Sequence, residues 1–184
     1  EMKNRLREAK RFIFIEYFII APGKMWNEFL EILIERARAG VEVRLMYDGF
    51  GTKFFSTGDF LKIAKQHHIQ CRCFNPFRPL LSSAQNNRDH RKILVIDGNI
   101  AFNGGTNLAD EYINEKVRFG HWKDTAIMLE GAAVWSYTMM FLQLWNMNNP
   151  NKKEAYDQYR PTYLPKQTNG GFIQPYGDSP VQDE

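Results

Sequence analysis

The segment DHRKILVIDGNIAFNGGTN, residues 89–107, decides the fold, because it holds two short apolar runs joined by Asp97-Gly98-Asn99. An Asp-Gly turn between apolar runs is typical of two antiparallel strands, so the segment predicts a β-hairpin. With a two-residue loop at Gly98-Asn99, His90 faces Asn107 across the hairpin. The hairpin therefore brings the beginning of the segment next to its end.

The side chains that can do chemistry cluster at the open end of this hairpin. His90 and Lys92 are two residues apart and project to the same side of a strand, whereas Arg91 projects to the other side. The facing strand end supplies Gly104, Gly105, Thr106 and Asn107. The two glycines are expected to let a ligand approach the backbone closely. A helix beginning in the range 107–112 would add free N–H groups that bind an anion.

This cluster has the composition of a phosphodiester site. A neutral imidazole can attack phosphorus or pass a proton to the leaving oxygen, which gives His90 a chemical role. Lys92 and Asn107 can stabilise the charge on the non-bridging oxygens. Asp97 lies at an odd offset from His90, so it faces away, and we expect it to hold the turn without touching substrate.

The surrounding chain alternates strands and helices. The hydrophobic patterns predict strands over 12–20, 41–48, 69–74 and 124–131 and helices over 2–10, 24–39, 58–67 and 132–145. This order predicts an α/β fold with a mixed, mostly parallel β-sheet and helices on both faces. A domain over 1–148 follows, and the polar composition after it predicts an extended tail or linker over 149–184.

Composition limits the function classes. Of 184 residues, 43% are apolar, which is typical of a folded domain, and the net charge of +3 gives weak support for a nucleic-acid groove. No apolar run approaches the ~18–20 residues of a membrane span. The chain begins with Glu1 inside a helix-like pattern, so we expect it to be a piece of a longer protein.

Three features outside the hairpin leave alternatives open. Glu16 lies near the end of a predicted parallel strand, where it either borders the site or is a buried carboxylate paired with a basic neighbour. Arg88 either reaches a phosphate or braces the loop over 75–89. The apolar residues Phe77, Leu80 and Leu81 of that loop either contact a bilayer surface or cover the core.

The spacing of these residues carries a resemblance. The pattern His90-x-Lys92, Asp97 and Gly104-Gly105-x-Asn107 resembles the signature of the phospholipase D superfamily, the HKD motif. The flanking segments IEYFI (15–19), NNRDHRKILVIDG (86–98) and AFNGGTNLADEY (101–112) resemble the amino-terminal half of bacterial cardiolipin synthases.

The resemblance implies a reaction without metal or cofactor that proceeds through a phosphohistidine. One phosphatidylglycerol is attacked and a second accepts the phosphatidyl group, giving cardiolipin and glycerol. It implies that His90 is nucleophile or acid–base partner and that Lys92 and Asn107 bind phosphate. Asp97 then belongs to the catalytic motif, Asp124 orients the histidine and Thr106 lies next to the phosphate. Arg88, Glu16 and the two glycines complete the predicted substrate-binding set.

Family members carry two such motifs, and this sequence has one, so it supplies half a site. The partner is either a second HKD half or another copy of the chain. The resemblance also implies a membrane surface, with the parent protein at the bacterial cell membrane, its catalytic domain on the cytoplasmic side and this piece soluble. A homodimeric nuclease and an inactive fragment are the alternatives, although no nucleic acid partner is expected.

Overall fold

The computed structural model describes residues 1–52, 59–76, 87–118, 120–147, 154–165 and 172–177. Within them, one six-stranded sheet has the strand order β3-β2-β1-β4-β5-β6. The strands are β1 (Phe12–Tyr17), β2 (Glu42–Asp48), β3 (Gln70–Phe74), β4 (Lys92–Ile96), β5 (Ile100–Gly104) and β6 (Ala126–Glu130). The helices are α1 (Met2–Arg7), α2 (Lys24–Arg38), α3 (Asp59–Gln66) and α4 (Val134–Asn146).

The sheet is mixed, as the sequence predicts. Strands β1, β2 and β3 pair in parallel. Strand β4 pairs antiparallel with β1, and β5 and β6 continue antiparallel from it. The parallel character predicted for most of the sheet is therefore confined to β1–β3, because the hairpin adds its strands to the edge of β1 without a crossover helix.

Helices cover both faces of the sheet, as predicted. Alternate residues of β1 point to opposite faces, so Ile13 and Ile15 pack with α1, α2 and α3, while Phe12 and Phe14 pack with α4. The stripe predicted along α4 is buried at Val134, Tyr137, Phe141 and Trp145. We call the first side the α2 face and the second the α4 face.

The hairpin is present, but its register differs by one residue from the prediction. Ile96 pairs with Ile100 and Ile93 with Asn103. Asp97 and Gly98 both have positive φ, 56° and 72°, and the Asn99 N–H donates to the Ile96 carbonyl at 3.0 Å. Two successive positive φ angles are typical of a type I′ turn, so the turn centres on Asp97-Gly98 rather than on Gly98-Asn99.

Part of the predicted tail is packed on the domain, which corrects the boundary at residue 148 for this part of the chain. Tyr159 is 3% exposed and lies in the core of the α4 face. Arg11 donates to the carbonyls of Gln158 and Arg160, and Asn99 bonds to Thr162. Residues 154–165 therefore form a strap across the end of the sheet at which the hairpin turns.

Two expectations fall on residues that the structure does not describe. The loop residues Phe77, Leu80 and Leu81 lie in 77–86, and the tail predictions for 148–153, 166–171 and 178–184 lie outside the described ranges as well. In the described part of the chain, none of the helices combines the length and the apolar character of a membrane span.

Candidate active site

His90 and Lys92 lie at the edge of the sheet where the parallel strands end. The His90 side chain is exposed, and its ring centroid is 4.8 Å from that of Phe18, which directly follows β1. Lys92 is 4% exposed, and its Nζ atom lies 5.5 Å from the Phe18 ring centroid. The Lys92 ammonium donates to the His90 carbonyl at 2.5 Å. The exposed histidine and the buried lysine therefore lie beside the same aromatic ring.

Burial lowers the pKa of both groups. Burial, followed by the nearby Lys92 charge, lowers the pKa of the His90 imidazole below its ordinary value, so the ring is neutral at pH 7. Burial also lowers the pKa of Lys92 to about 8, although the Asp89 and Asp124 carboxylates favour its charged form. A neutral imidazole next to a cation is a nucleophile beside an anion-binding group.

The Asn107 side chain bonds to the segment that follows β1 and carries Phe18, so its polar atoms already have protein partners. It is 3% exposed, its Oδ1 accepts from the Ile19 N–H at 3.0 Å, and its Nδ2 donates to the Tyr112 hydroxyl at 2.8 Å. Thr52 supports the same segment by donating to the Phe18 carbonyl and accepting from the Ile20 N–H. Asn107 thus braces the chain that carries Phe18, and phosphate binding by its side chain stays a prediction.

The predicted helix over 107–112 is replaced by an extended segment. Leu108 forms a parallel bridge with Ile20, and a short 3₁₀ helix, Asp110–Ile113, begins only after it. The backbone N–H of Leu108 donates to the Ile19 carbonyl at 3.1 Å. The strand-like pairing therefore uses the Leu108 N–H, and among the described residues only this short 3₁₀ helix begins within 107–112, so an anion site here stays a prediction. Thr106 is half-buried beside this segment.

Gly104 and Gly105 make room for β6 and for Asp124, and the close approach of a ligand to their backbone stays a prediction. A Cβ atom on Gly104 would lie 2.6 Å from the Thr125 carbonyl oxygen, and one on Gly105 would lie 2.3 Å from Asp124 Oδ1. The Asp124 carboxylate accepts from the Trp122 indole N–H at 3.1 Å. Its partners in the described structure do not include His90, so its predicted orienting role stays a prediction.

Alanine substitutions separate the two glycines. Gly104→Ala is expected to lower the free energy of unfolding by about 1–3 kcal/mol, because its Cβ meets backbone atoms of β6 that cannot move alone. Gly105→Ala is expected to cost less than about 1 kcal/mol, because an exposed Asp124 carboxylate can turn aside. Urea unfolding of both variants measures the difference, and equal losses would contradict this assignment.

Arg88 braces the loop before the motif. Its guanidinium donates to the Asn75 carbonyl at 2.8 Å and lies 3.6 Å from Asp48. Asp48 is fully buried and accepts from the N–H groups of Phe50, Gly51 and Asp89. These contacts favour the bracing alternative for Arg88, and a contact with substrate stays a prediction. The sequence analysis did not identify Asp48 and Asp89 as residues that support the site. The position of Asp48 at the end of a predicted strand was the signal that could have found it.

Glu16 does not border the site in the way one alternative expected. It is fully buried on the α4 face, because it follows Phe14 by two residues, and Lys92 projects to the other face. Its Oε1 lies 2.5 Å from Arg91 Nε. The structure favours the alternative of a buried carboxylate with a basic neighbour. It also confirms that Arg91 projects away from His90.

Asp97 lies at the opposite end of the hairpin from His90. Its carboxylate accepts from the backbone N–H groups of Lys10, Arg11 and Phe12 at 2.9, 2.8 and 3.0 Å. These bonds tie the hairpin turn to the start of β1, in agreement with the role of holding the turn. They also keep Asp97 at the turn, and its predicted place in the catalytic set stays a prediction.

A mixed α/β sheet with an exposed histidine beside a buried lysine at one edge defines a candidate phosphodiester-transfer domain. A family model described as "Cardiolipin synthase, PLD-like domain" matches residues 2–145. The chain therefore belongs to this family of phospholipase D-like domains, and the resemblance carried by its motif is confirmed.

Several relatives match over most of the chain. An uncharacterised protein of Streptococcus mutans is 50% identical over 184 residues, all of this chain and 40% of that protein. Cardiolipin synthase 2 of Staphylococcus epidermidis is 35% identical over 94% of this chain and 35% of its own length. Cardiolipin synthase 2 of Bacillus cereus is 41% identical over 77% of this chain and 28% of its own. The chain thus spans less than half the length of these relatives.

The fold is also found in solved structures. Nuc from Salmonella typhimurium, a phospholipase D family member, superposes with a TM-score of 0.56 over 78% of this chain and 84% of that one, at 16% identity. A polyphosphate kinase of Porphyromonas gingivalis gives a TM-score of 0.53 over 84% of this chain and 24% of that one, at 14% identity. At these identities the similarity shows a common fold.

Proposed function

We propose that this domain supplies one half of the active site of a phosphatidyltransferase that makes cardiolipin and glycerol from two phosphatidylglycerol molecules. The observation that carries the proposal is the exposed His90 side chain and the buried Lys92 ammonium beside the same Phe18 ring, with the ammonium donating to the His90 carbonyl. The cardiolipin synthases among the relatives support phosphatidylglycerol as the substrate.

In the proposed reaction, His90 either forms the covalent intermediate or moves the proton. As nucleophile, its imidazole nitrogen forms a bond to phosphorus while the bond to the glycerol oxygen breaks, and a second histidine protonates that oxygen. The hydroxyl of another phosphatidylglycerol then displaces His90 and returns its proton to the second histidine. Lys92 stabilises the non-bridging oxygens in both steps.

The second histidine must come from outside this motif. It belongs either to another HKD half of a longer protein or to a second copy of this chain, because the described structure places one His-x-Lys pair with this geometry at the sheet edge. The phosphatidylglycerol substrate places the working site at a membrane surface.

The test begins with the mass of the chain in solution. The chain is then incubated with phosphatidylglycerol micelles in EDTA, alone and mixed with the second half of a relative such as the Bacillus cereus cardiolipin synthase 2. Release of glycerol together with cardiolipin, from a dimer or from the mixture, would support the proposal. No glycerol release by the chain alone or by the mixture would contradict the proposal and favour an inactive fragment. Cleavage of a single-stranded oligonucleotide in place of the lipid would contradict it and favour a nuclease.

The pH dependence of kcat/KM follows from the two shifted groups. If His90 is the nucleophile, activity is expected to rise with pH as its imidazole loses a proton below the ordinary pKa of about 6.5. If His90 is the proton donor, activity is expected to fall over the same interval. Activity is expected to fall again near pH 8, where Lys92 loses its charge. In Lys92→Arg the guanidinium stays charged, so the alkaline limb of the residual activity moves beyond pH ~10.

The exposed Lys123 offers a matched control, because it follows His121 by two residues in the same His-x-Lys spacing. Lys123→Arg is expected to keep both limbs in place. An alkaline limb that stays near pH 8 in Lys92→Arg would show that another group is responsible for it.

A further inference from the structure

Two buried carboxylates and one guanidinium lie directly behind the His90 site. Glu16 is 0% exposed and Asp89 is 5% exposed. Arg91 Nε lies 2.5 Å from Glu16 Oε1 and 3.4 Å from Asp89 Oδ1, so the two carboxyl groups share one guanidinium as their ion-pair partner. This group, which we call the Glu16 cluster, consists of Glu16, Asp89 and Arg91.

The Glu16 cluster needs one proton to be stable in a buried position. Two adjacent buried carboxylates cannot both ionise against a single positive charge without a large cost. Both carboxyl oxygens of Glu16 and Oδ2 of Asp89 are buried without a well-oriented hydrogen bond. Burial, and then the negative charge of Asp89, raise the pKa of Glu16. A proton on Glu16 gives a donor for Asp89 and leaves the cluster with no net charge.

The Glu16 cluster holds the backbone on both sides of His90, because it includes the residue before His90 and the residue after it. Asp89 and Arg91 are its neighbours in sequence, and the Arg91 N–H donates to Asp89 Oδ1 at 3.2 Å. The Asp89 N–H donates to Asp48 Oδ2 at 3.0 Å, which anchors the same peptide to the end of β2. Since the Lys92 ammonium bonds to the His90 carbonyl, the orientation of this peptide also decides where the lysine charge lies.

We propose that Glu16 is a positioning residue of this site, a neutral acid that acts through Arg91 and Asp89 to fix the backbone on both sides of His90. The inference deepens the proposed function and rests on it for its catalytic consequence. A reacting group displaced by about 1 Å can lose ~10²-fold in rate, so a residue on the opposite face of the sheet can matter for turnover.

The experiment compares Glu16→Gln, which keeps the shape and a neutral donor, with Glu16→Leu, which removes both polar atoms. Val95→Ala is the matched control, because it disturbs the same face of the sheet on β4 without touching Arg91. NMR titration of the His90 imidazole is the main measurement, since it needs no activity. Infrared spectra of the wild type and of Glu16→Gln at neutral pH are compared for the C=O stretch of a protonated carboxyl.

Loosening of the peptide in Glu16→Leu is expected to raise the His90 titration midpoint toward its ordinary value of about 6.5, because burial and the Lys92 charge both act less on the imidazole. Glu16→Gln and Val95→Ala are expected to titrate like the wild type. The protonated-carboxyl band is expected in the wild type and absent from Glu16→Gln, which tests the neutral state of Glu16 even when Glu16→Leu does not fold.

The proposal is overturned by a folded Glu16→Leu with an unchanged His90 titration, by an equal shift in Val95→Ala or Glu16→Gln, or by a missing carboxyl band. In an active assembly, kcat in Glu16→Leu is expected to fall ~10²-fold with KM little changed. A wild type that titrates as expected and yet releases no glycerol contradicts the proposed function alone, because the NMR and infrared results stand without it.

Discussion

Replacing His90 by alanine is expected to abolish the release of glycerol from phosphatidylglycerol, with a loss of at least ~10⁴-fold in kcat. Without the imidazole, either the bond to phosphorus cannot form or the leaving oxygen receives no proton, so both assignments of His90 predict the loss. Glycerol release in EDTA by the active assembly is the measurement. The effect is large because, among the described residues, the side chains next to His90 include no other neutral nucleophile.

The same substitution is expected to leave stability nearly unchanged. His90 is exposed, and exposed substitutions away from special contacts change the free energy of unfolding by about 0.5 kcal/mol or less. His121 offers the matched control, because it is an exposed histidine two residues before a lysine. A His90→Ala protein that turns over like His121→Ala, with the same thermal midpoint, would contradict the proposed role.

The local part of the site follows from sequence because strand geometry fixes it. The alternation of side chains on β4 is enough to put His90 and Lys92 on one side and Arg91 on the other, and the Arg91–Glu16 contact confirms it. The order of strands and helices is likewise predictable from the hydrophobic pattern, which located β1–β6 and α1–α4 to within a few residues.

The one-residue error in the hairpin has a local cause. Asp97 adopts a positive φ of 56°, which is uncommon outside glycine, and its carboxylate bonds three N–H groups about 85 residues earlier in the chain. That tertiary contact moves the turn one residue toward β4. Sequence patterns near the turn contain no sign of it.

The roles of Gly104, Gly105 and Asn107 depend on elements that the sequence places far away. The space beside the glycines is filled by β6 and Asp124, and the side-chain Oδ1 of Asn107 accepts a hydrogen bond from the Ile19 N–H. The extent of mostly parallel pairing was overestimated for a similar reason, since a strand pattern does not reveal which edge of the sheet it joins. Long-range pairing therefore marks the limit of what the sequence predicts here.

The strap over residues 154–165 is the largest feature that the sequence analysis did not predict, because the polar composition of this stretch indicated an extended tail. Glu154 and Tyr159 occur in a polar, proline-containing stretch, and yet Arg44 of β2 binds the Glu154 carboxylate through two nitrogens and the Tyr159 hydroxyl at 2.6 Å. The Arg44 guanidinium also lies 5.2–5.5 Å from the ring centroids of Phe14, Trp145 and Tyr159. A single buried arginine thus joins the strap, α4 and the sheet.

Arg44→Met is therefore expected to lower the free energy of unfolding by about 3–5 kcal/mol, because it leaves the Glu154 carboxylate buried without its cation. Methionine keeps the length of the side chain, so the loss reports charge and hydrogen bonding more than volume. Arg160→Met is the control, since Arg160 is exposed, pairs with the exposed Asp157 and lies 4.6 Å from the Trp135 ring centroid, so its loss leaves no buried carboxylate without a cation. Urea unfolding measures both, and equal stabilities would contradict the assignment.

The pH dependence of the same variant gives a second check. Burial alone would raise the pKa of Glu154, but hydrogen bonds from Arg44 and Asn146 outweigh it and hold the pKa at about 2. A carboxyl whose pKa is lower in the folded state stabilises fully above its unfolded value of about 4.3, and this stabilisation is lost as the pH falls toward 2. Wild-type stability should therefore decrease steeply across this interval. The decrease should be much weaker in Arg44→Met, because without the guanidinium the folded-state pKa rises to or above the unfolded one.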